Sequence, residues 1–481
     1  MIVWNAFFSY LLRPATNIKV LVLSSLILAL FFRRTKRASD FFNFLQAAPL
    51  QKVLFGILAI AFFLRLGWVL WSPHIPPAAI TEDAYIWRHA NDLATGVGFK
   101  SPEGAYTARR PIGYPFFLSI LIRIFGSDMF AAELFQVGFG IMSVFCLYVL
   151  GKKLGSELLG ILAALIYALY PTAIMSTKVL MDEHLFILFW LLGLIFMISD
   201  YQEPSYYSVF WAGLAVGLSA LFRTYSIISV PIVFLVWLFQ KRDFLGAVGR
   251  GALMAFLVLL CALPWAARNY YRLGSPIFYT SLLGVHLYYA NNPTSDVRYP
   301  VNPPPEKGGD LAFLTAKSEP ERDRAGQRAA WRWIKHNPEA FVEKVIGRAF
   351  YMLGFNREGW VVEDNFKTID PDAHVPTAKL RKKLEKAEQY YYVAVFLFAM
   401  MGVLLFLANS SETSDSRGLI YVVLTVLFYV LVTAVGLNHR KYRFVIEPLF
   451  TLLAAYALVS IFSLNLRERN QMGIVKVRVG S

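Results

Sequence analysis

Charge is scarce in this chain of 481 residues, where Asp, Glu, Lys and Arg together make up only 16%. A soluble domain carries about a quarter charged residues, so this chain lacks the means to clothe a water-facing surface. Its 57% hydrophobic content is equally far from the composition of disordered chains. Cysteine is nearly absent. Cys146 and Cys261, each inside an apolar run, exclude a disulfide scaffold and a cysteine-based metal site and read as small core residues. No cleavable signal peptide is evident, because the first long apolar run leads into Arg33-Arg34-Thr35-Lys36-Arg37, where a small-residue cleavage site would be needed. Acidic residues are the rarer charge, 32 against 47 Lys and Arg, for a net charge of +15. In a soluble protein that excess suggests nucleic acid. In a membrane chain it reports loop orientation and contact with anionic membrane lipids, so no nucleic-acid partner is expected.

What the chain has in quantity is long apolar runs, with 40 Phe, 25 Tyr and 11 Trp. A spanning helix needs about 20 apolar residues. Eleven candidates occupy 17–32, 52–72, 129–150, 157–176, 180–199, 207–222, 226–240, 247–267, 390–408, 418–436 and 443–463. A twelfth run, 111–126, is short, carries two prolines and contains Arg123. If it crossed, Lys152-Lys153 would lie opposite Arg33–Arg37. If it rests at the interface, those loops, Lys241-Arg242 and the tail from Arg467 all fall on the cytoplasmic side, as the positive-inside rule demands. It is therefore read as a juxtamembrane or re-entrant helix. The fold class expected is an all-α polytopic membrane bundle.

Four regions follow. Residues 1–50 form an accessory hydrophobic segment. Residues 51–269 form a transmembrane core whose first external loop, 73–128, carries candidate chemistry. Residues 270–389 are a long external loop with surface-lying helices at 319–336 and 338–353, and 390–481 are C-terminal spans with a cytoplasmic tail.

The rare carboxylates stand out by position. Glu82-Asp83 follow the span 52–72 and precede Tyr85, His89, Asn91 and Asp92. They suit a helix start, where the dipole favours acids, and equally a catalytic role. Asp182-Glu183 sit in a turn of a few residues between two apolar helices. Ionisable groups at that depth are costly and read as functional. The same face carries cations where the orientation rule expects few. These are Arg109-Arg110 before a Pro-Ile-Gly-Tyr-Pro turn, Arg223 at the end of a span, Arg268 after Pro264-Trp265, and His439-Arg440-Lys441-Tyr442-Arg443. Guanidinium groups match phosphate oxygens bidentately, and a carboxylate can take a proton from an incoming hydroxyl. Carboxylates facing a basic cluster at a membrane boundary suit a lipid-phosphate-linked sugar as substrate.

Several segments resemble one family in order. They are Asp83-Ala84-Tyr85 with Gly96-Val97-Gly98; Ala108-Arg109-Arg110-Pro111-Ile112-Gly113-Tyr114-Pro115; Tyr170-Pro171; Glu183-His184-Leu185-Phe186; and Leu221-Phe222-Arg223. Leu263-Pro264-Trp265-Ala266-Ala267-Arg268-Asn269-Tyr270, Asn291-Asn292-Pro293, Ala329-Ala330-Trp331 with Asn337-Pro338, and Tyr442-Arg443-Phe444 follow. Together they resemble the GT-C glycosyltransferases, in the branch of the dolichyl-phosphate-mannose–protein mannosyltransferases and aminoarabinose transferases (glycosyltransferase families 39 and 83), over roughly 52–463. The order Glu82-Asp83 departs from the Asp-Glu of the protein mannosyltransferases.

The resemblance implies an inverting transferase with a GT-C bundle of about eleven spans. Its donor would be a polyprenyl-phosphate-linked sugar (undecaprenyl or dolichyl phosphate), and its acceptor a glycan, a lipid or a protein. It implies Asp83 as catalytic base, with Glu183 or Asp182 assisting, and Arg110 as a lipid-phosphate contact joined by Arg109, Arg268, Tyr442, Arg443 and Arg223. Tyr85, His89 and Tyr114 become candidate substrate contacts. Asp83 and Glu183 either hold a divalent metal ion or work without one. The expected location is a prokaryotic inner or plasma membrane, with the site facing the periplasm or exterior. A transporter or flippase of lipid-linked sugars is the rival; ionisable residues near the bilayer midplane, with internal repeats or broken helices, would mark it.

Overall fold

The computed structural model describes residues 40, 48–72, 82–297, 302–354, 378–409, 417–436 and 439–471. The accessory segment, apart from residues 40 and 48–50, and with it the span 17–32 and the run Arg33–Arg37, lies outside the described residues. Helices α1 Leu50–Trp71, α2 Glu82–Ala94, α3 Gly113–Phe125, α4 Met129–Leu154, α5 Glu157–Ala168 and α6 Pro171–Met175 come first. Then come α7 Glu183–Gln202, α8 Tyr206–Ala220, α9 Ser229–Phe239, α10 Phe244–Leu273 and α11 Leu283–Ala290. They are followed by α12 Leu311–Leu314, α13 Glu319–His336, α14 Pro338–Leu353, α15 Ala378–Asn409, α16 Leu419–Val435 and α17 Glu447–Gln471. Among the described residues no strand forms; Lys100 and Tyr106 make an isolated antiparallel bridge.

Six of these helices are long and apolar enough to cross a membrane: α1, α4, α7, α10, α15 and the helix over Lys441–Ser463 that contains most of α17. The pair α5 and α6 passes the same test as one bent span. Helices α3, α8 and α16 and the stretch Thr224–Phe239 are apolar but shorter. Expected spans at 207–222, 226–240 and 418–436 fall on three of them. At 1.5 Å per residue, the 13 residues of α3 reach about 20 Å, less than the roughly 30 Å hydrocarbon core.

The expected straight span at 157–176 is broken, with a 60° bend at Leu169-Tyr170. Pro171 starts α6, cannot donate a backbone hydrogen bond, and pushes the residue before it to extended geometry. The break strips carbonyls of helical partners deep in the bundle. Arg65, fully buried on α1, supplies the missing donors: Nη1 donates to Ala168 O at 3.1 Å and Nη2 to Tyr167 O at 3.3 Å. A Cβ at Gly140 would come within 2.7 Å of Arg65 Nε, so the glycine makes room for the guanidinium. Glycines also permit the close crossing of α4 and α5, where Gly151 and Gly160 leave no room for a side chain on either partner. This is the small-residue contact through which membrane helices gain packing energy.

Candidate active site

Just beyond the broken span the chain makes a tight turn, and an amide from α4 holds it in place. Gln136 donates from Nε2 to the carbonyls of Thr177 and Val179, both at 3.0 Å, and its Oε1 accepts from Met181 N at 3.0 Å and Tyr114 Oη at 2.8 Å. All four of its hydrogen-bonding positions are used. The turn is tied down again where Lys178 Nζ meets Glu133 at 2.9 Å, a buried pair.

The turn delivers Asp182 and Glu183 to the first positions of α7, where a helix N-terminus favours negative charge. Arg223, in the break between α8 and the next helical segment, bridges them. Its Nε lies 2.8 Å from Asp182 Oδ1 and its Nη2 2.6 Å from Glu183 Oε1. Glu183 is 2% exposed. Two carboxylates share one guanidinium. The Arg223 guanidinium also lies 5.8 Å from the centre of the Tyr442 ring.

Gly113 joins this group to the basic loop. Its amide donates to Leu221 O at 2.9 Å, and a Cβ in its place would stand 2.7 Å from that oxygen. The Pro-Ile-Gly-Tyr turn is thereby seated two residues before Arg223, with Arg109 and Arg110 immediately upstream. Arg110 is half-buried and Arg109 exposed. Behind the loop, His89 is buried and stacked on Phe99, ring centres 4.0 Å apart. Burial, reinforced by the guanidinium groups of Arg88, Arg110 and Arg268, pushes its pKa down to about 4. His89 is therefore neutral near pH 7. At the far end of α2, Arg123 donates to Leu93 O at 2.8 Å and Ala94 O at 3.1 Å. That fastening accounts for a cation in an apolar run.

The other expected residues sit as follows. Tyr114 is 1% exposed and acts through Gln136, Tyr85 is half-buried, and Asp83 lies in the first turn of α2, with its side chain and that of Glu82 outside the described residues. Arg268 donates to Thr107 O and Phe99 O at 2.8 and 2.7 Å and packs on Trp265 and Tyr106. Arg443 is paired with Glu447 at 3.0 Å, donates to Gly354 O and covers the Tyr392 ring at 3.4 Å. The structure thus gathers Asp182, Glu183, Arg223 and Tyr442 in one place and gives Arg268 and Arg443 partners within the fold. Sequence reasoning did not find Gln136 or Arg65, although a lone amide and a lone guanidinium inside apolar runs were the available signals.

Among the described residues no three His, Cys, Asp or Glu side chains converge as a metal-sized group. Asp182 and Glu183 are already held by Arg223. The expected metal pair is Asp83 and Glu183, and the side chain of Asp83 lies outside the described residues; no step below runs through a metal ion.

Residues 109–267 match the family described as dolichyl-phosphate-mannose-protein mannosyltransferase. No curated protein matches the sequence. Among solved structures, the fold is similar to the oligosaccharyltransferase AglB from Archaeoglobus fulgidus in complex with an inhibitory peptide and a dolichol-phosphate. That likeness has 12% identity and a TM-score of 0.52, over 91% of this chain and 53% of the other. The apo form of the Archaeoglobus fulgidus enzyme gives 14% identity and a TM-score of 0.51, over 89% and 52%. The chain therefore spans about half the length of that enzyme. ArnT from Cupriavidus metallidurans, bound to undecaprenyl phosphate, gives 15% identity and a TM-score of 0.43, over 86% and 78%. The chain is thus a polytopic helical membrane protein whose fold is similar to that of the Archaeoglobus fulgidus oligosaccharyltransferase and which is similar over residues 109–267 to the dolichyl-phosphate-mannose-protein mannosyltransferases.

Proposed function

We propose that the chain is an integral-membrane, inverting glycosyltransferase that moves a sugar from a polyprenyl-phosphate donor to an acceptor on the non-cytoplasmic side. The observation that carries this reading is the Asp182–Arg223–Glu183 group at the mouth of α7, joined through Gly113 to the basic loop at Arg109-Arg110. Carboxylates at this depth are expensive to keep, and a loop bearing two arginines beside them suits an anionic leaving group.

In the reaction, the acceptor hydroxyl oxygen attacks the anomeric carbon opposite the phosphate. The bond from that carbon to the phosphate oxygen breaks, and polyprenyl phosphate leaves with the electron pair. The hydroxyl proton passes to a carboxylate, which we assign to Asp83, with Glu183 or Asp182 orienting the sugar or the acceptor. Arg110 takes up charge developing on the phosphate, where a fixed cation at low dielectric is most effective. Arg268 and Arg443, already occupied by carbonyls and by Glu447, contribute by holding the loop and the last span.

The direct test of the base is Asp83→Asn. Transfer should disappear while expression and donor binding persist, and transfer at near wild-type rate would end the assignment. Arg110→Ala should impair donor use, and unchanged donor kinetics would count against its role.

A further inference from the structure

Where the first external loop meets the long external segment there is a cavity that shares only Arg109 with the reaction outlined above. It has a volume of about 220 Å³, and its lining gathers Arg109, Lys317 and Arg322 with Ser281, Tyr289 and Glu319. No residue of a membrane-spanning helix contributes to it.

Glu319, the only acid in the lining, has both oxygens engaged elsewhere. Oε1 accepts from Thr107 Oγ1 at 2.6 Å, and Oε2 from Ala108 N at 2.9 Å and Ser281 Oγ at 3.0 Å. The Arg109 backbone is fixed as well, because its amide donates to Thr107 Oγ1 and its carbonyl accepts from Thr280 Oγ1. Among the described residues none of the three cations makes an ion pair, and Arg322 rests against the Phe313 ring. The exposed carboxylate of Glu103 is near enough to feel Arg109, but it is not part of the lining. Three cations against the single carboxylate of Glu319 leave the concavity with a net positive charge, which a bound anion would offset. The volume equals that of about seven waters at roughly 30 Å³ each, enough for a charged sugar unit.

We infer that this cavity binds an anionic group, a phosphate or a carboxylate, carried by the sugar acceptor. A polyprenyl tail has to lie among the spans, so a cavity built wholly outside them suits the hydrophilic partner. Binding of an anion stands on the cavity alone; its belonging to the acceptor rests on the transferase reading above.

The test uses the full chain in detergent micelles, with glucose 6-phosphate, glucuronate and glucose as probes followed by calorimetry. Glucose 6-phosphate or glucuronate should bind and glucose should not, and whichever anion binds tighter identifies the group. In Lys317→Gln/Arg322→Gln, two exposed positions away from the spans, binding should weaken about tenfold or more, since each lost cation removes a charge-assisted contact. An unchanged melting temperature in that variant shows that folding is not the cause. Equal binding of glucose and the charged sugars, or equal affinity in the double variant, would overturn the anion site. Selective anion binding by a protein that turns over no donor would overturn the acceptor assignment alone.

Discussion

The amide of Gly113 donates to the carbonyl of Leu221 at 2.9 Å, and no side chain fits between them. This contact locks the basic loop of the first external segment to the stretch of chain that presents Arg223. The loop and the stretch that leads to the carboxylate group are therefore packed directly against each other.

Gly113→Ala should separate them. A methyl 2.7 Å from a carbonyl oxygen forces the loop outward, and overpacking of this kind costs about 1–3 kcal/mol. Thermal melting should fall measurably and donor turnover should fall with it. An unchanged melting temperature and rate would show that the two segments tolerate separation.

Arg223→Gln should be more damaging. Removing the shared cation leaves Asp182 and Glu183 adjacent and poorly hydrated, and breaking a buried pair costs about 3–5 kcal/mol. Adding Glu183→Gln removes one of the stranded charges, so the double variant should melt above Arg223→Gln alone while still failing to turn over donor. A single variant as stable as the wild type would mean that the bridge does not hold the turn.

The neutral state of His89 gives stability a pH dependence. Burial and three nearby guanidinium groups push the ring down to about 4 in the folded chain, against about 6.5 when unfolded. Between those values the unfolded state binds a proton that the folded state refuses. Stability is therefore full above about pH 6.5 and declines as the pH falls toward 4, by about 2 kcal/mol at pH 5. Melting curves at pH 7.5 and pH 5 should show the decline, and His89→Phe, which keeps the stack on Phe99, should reduce it. Equal slopes in the two proteins would remove His89 as its source.

The sequence was most legible where hydrophobicity alone decides structure. The apolar runs marked the long helices, and the acids of Asp182-Glu183 declared themselves by standing between two of them. Less could be read where partners meet through helix crossing. Arg223 is 41 residues from Asp182 in the chain, and nothing local says that the two meet. Arg65 looks misplaced in an apolar run until the break before Pro171 exposes carbonyls for it to serve, and the run 157–176 reads as continuous because its hydrophobicity is. Glu319 reads as an ordinary first-turn acid of a helix, although its three donors come from Thr107, Ala108 and Ser281.

The most direct test is donor turnover. Purified protein in liposomes would be given a radiolabelled polyprenyl-phosphate sugar and scored for free polyprenyl phosphate, for glycosylated acceptor and for passage of intact donor across the bilayer. A transferase releases polyprenyl phosphate and a sugar-bearing product together, and Glu183→Gln or Asp83→Asn stops both. Passage of intact donor without any release of polyprenyl phosphate would contradict the assignment and make the chain a transporter.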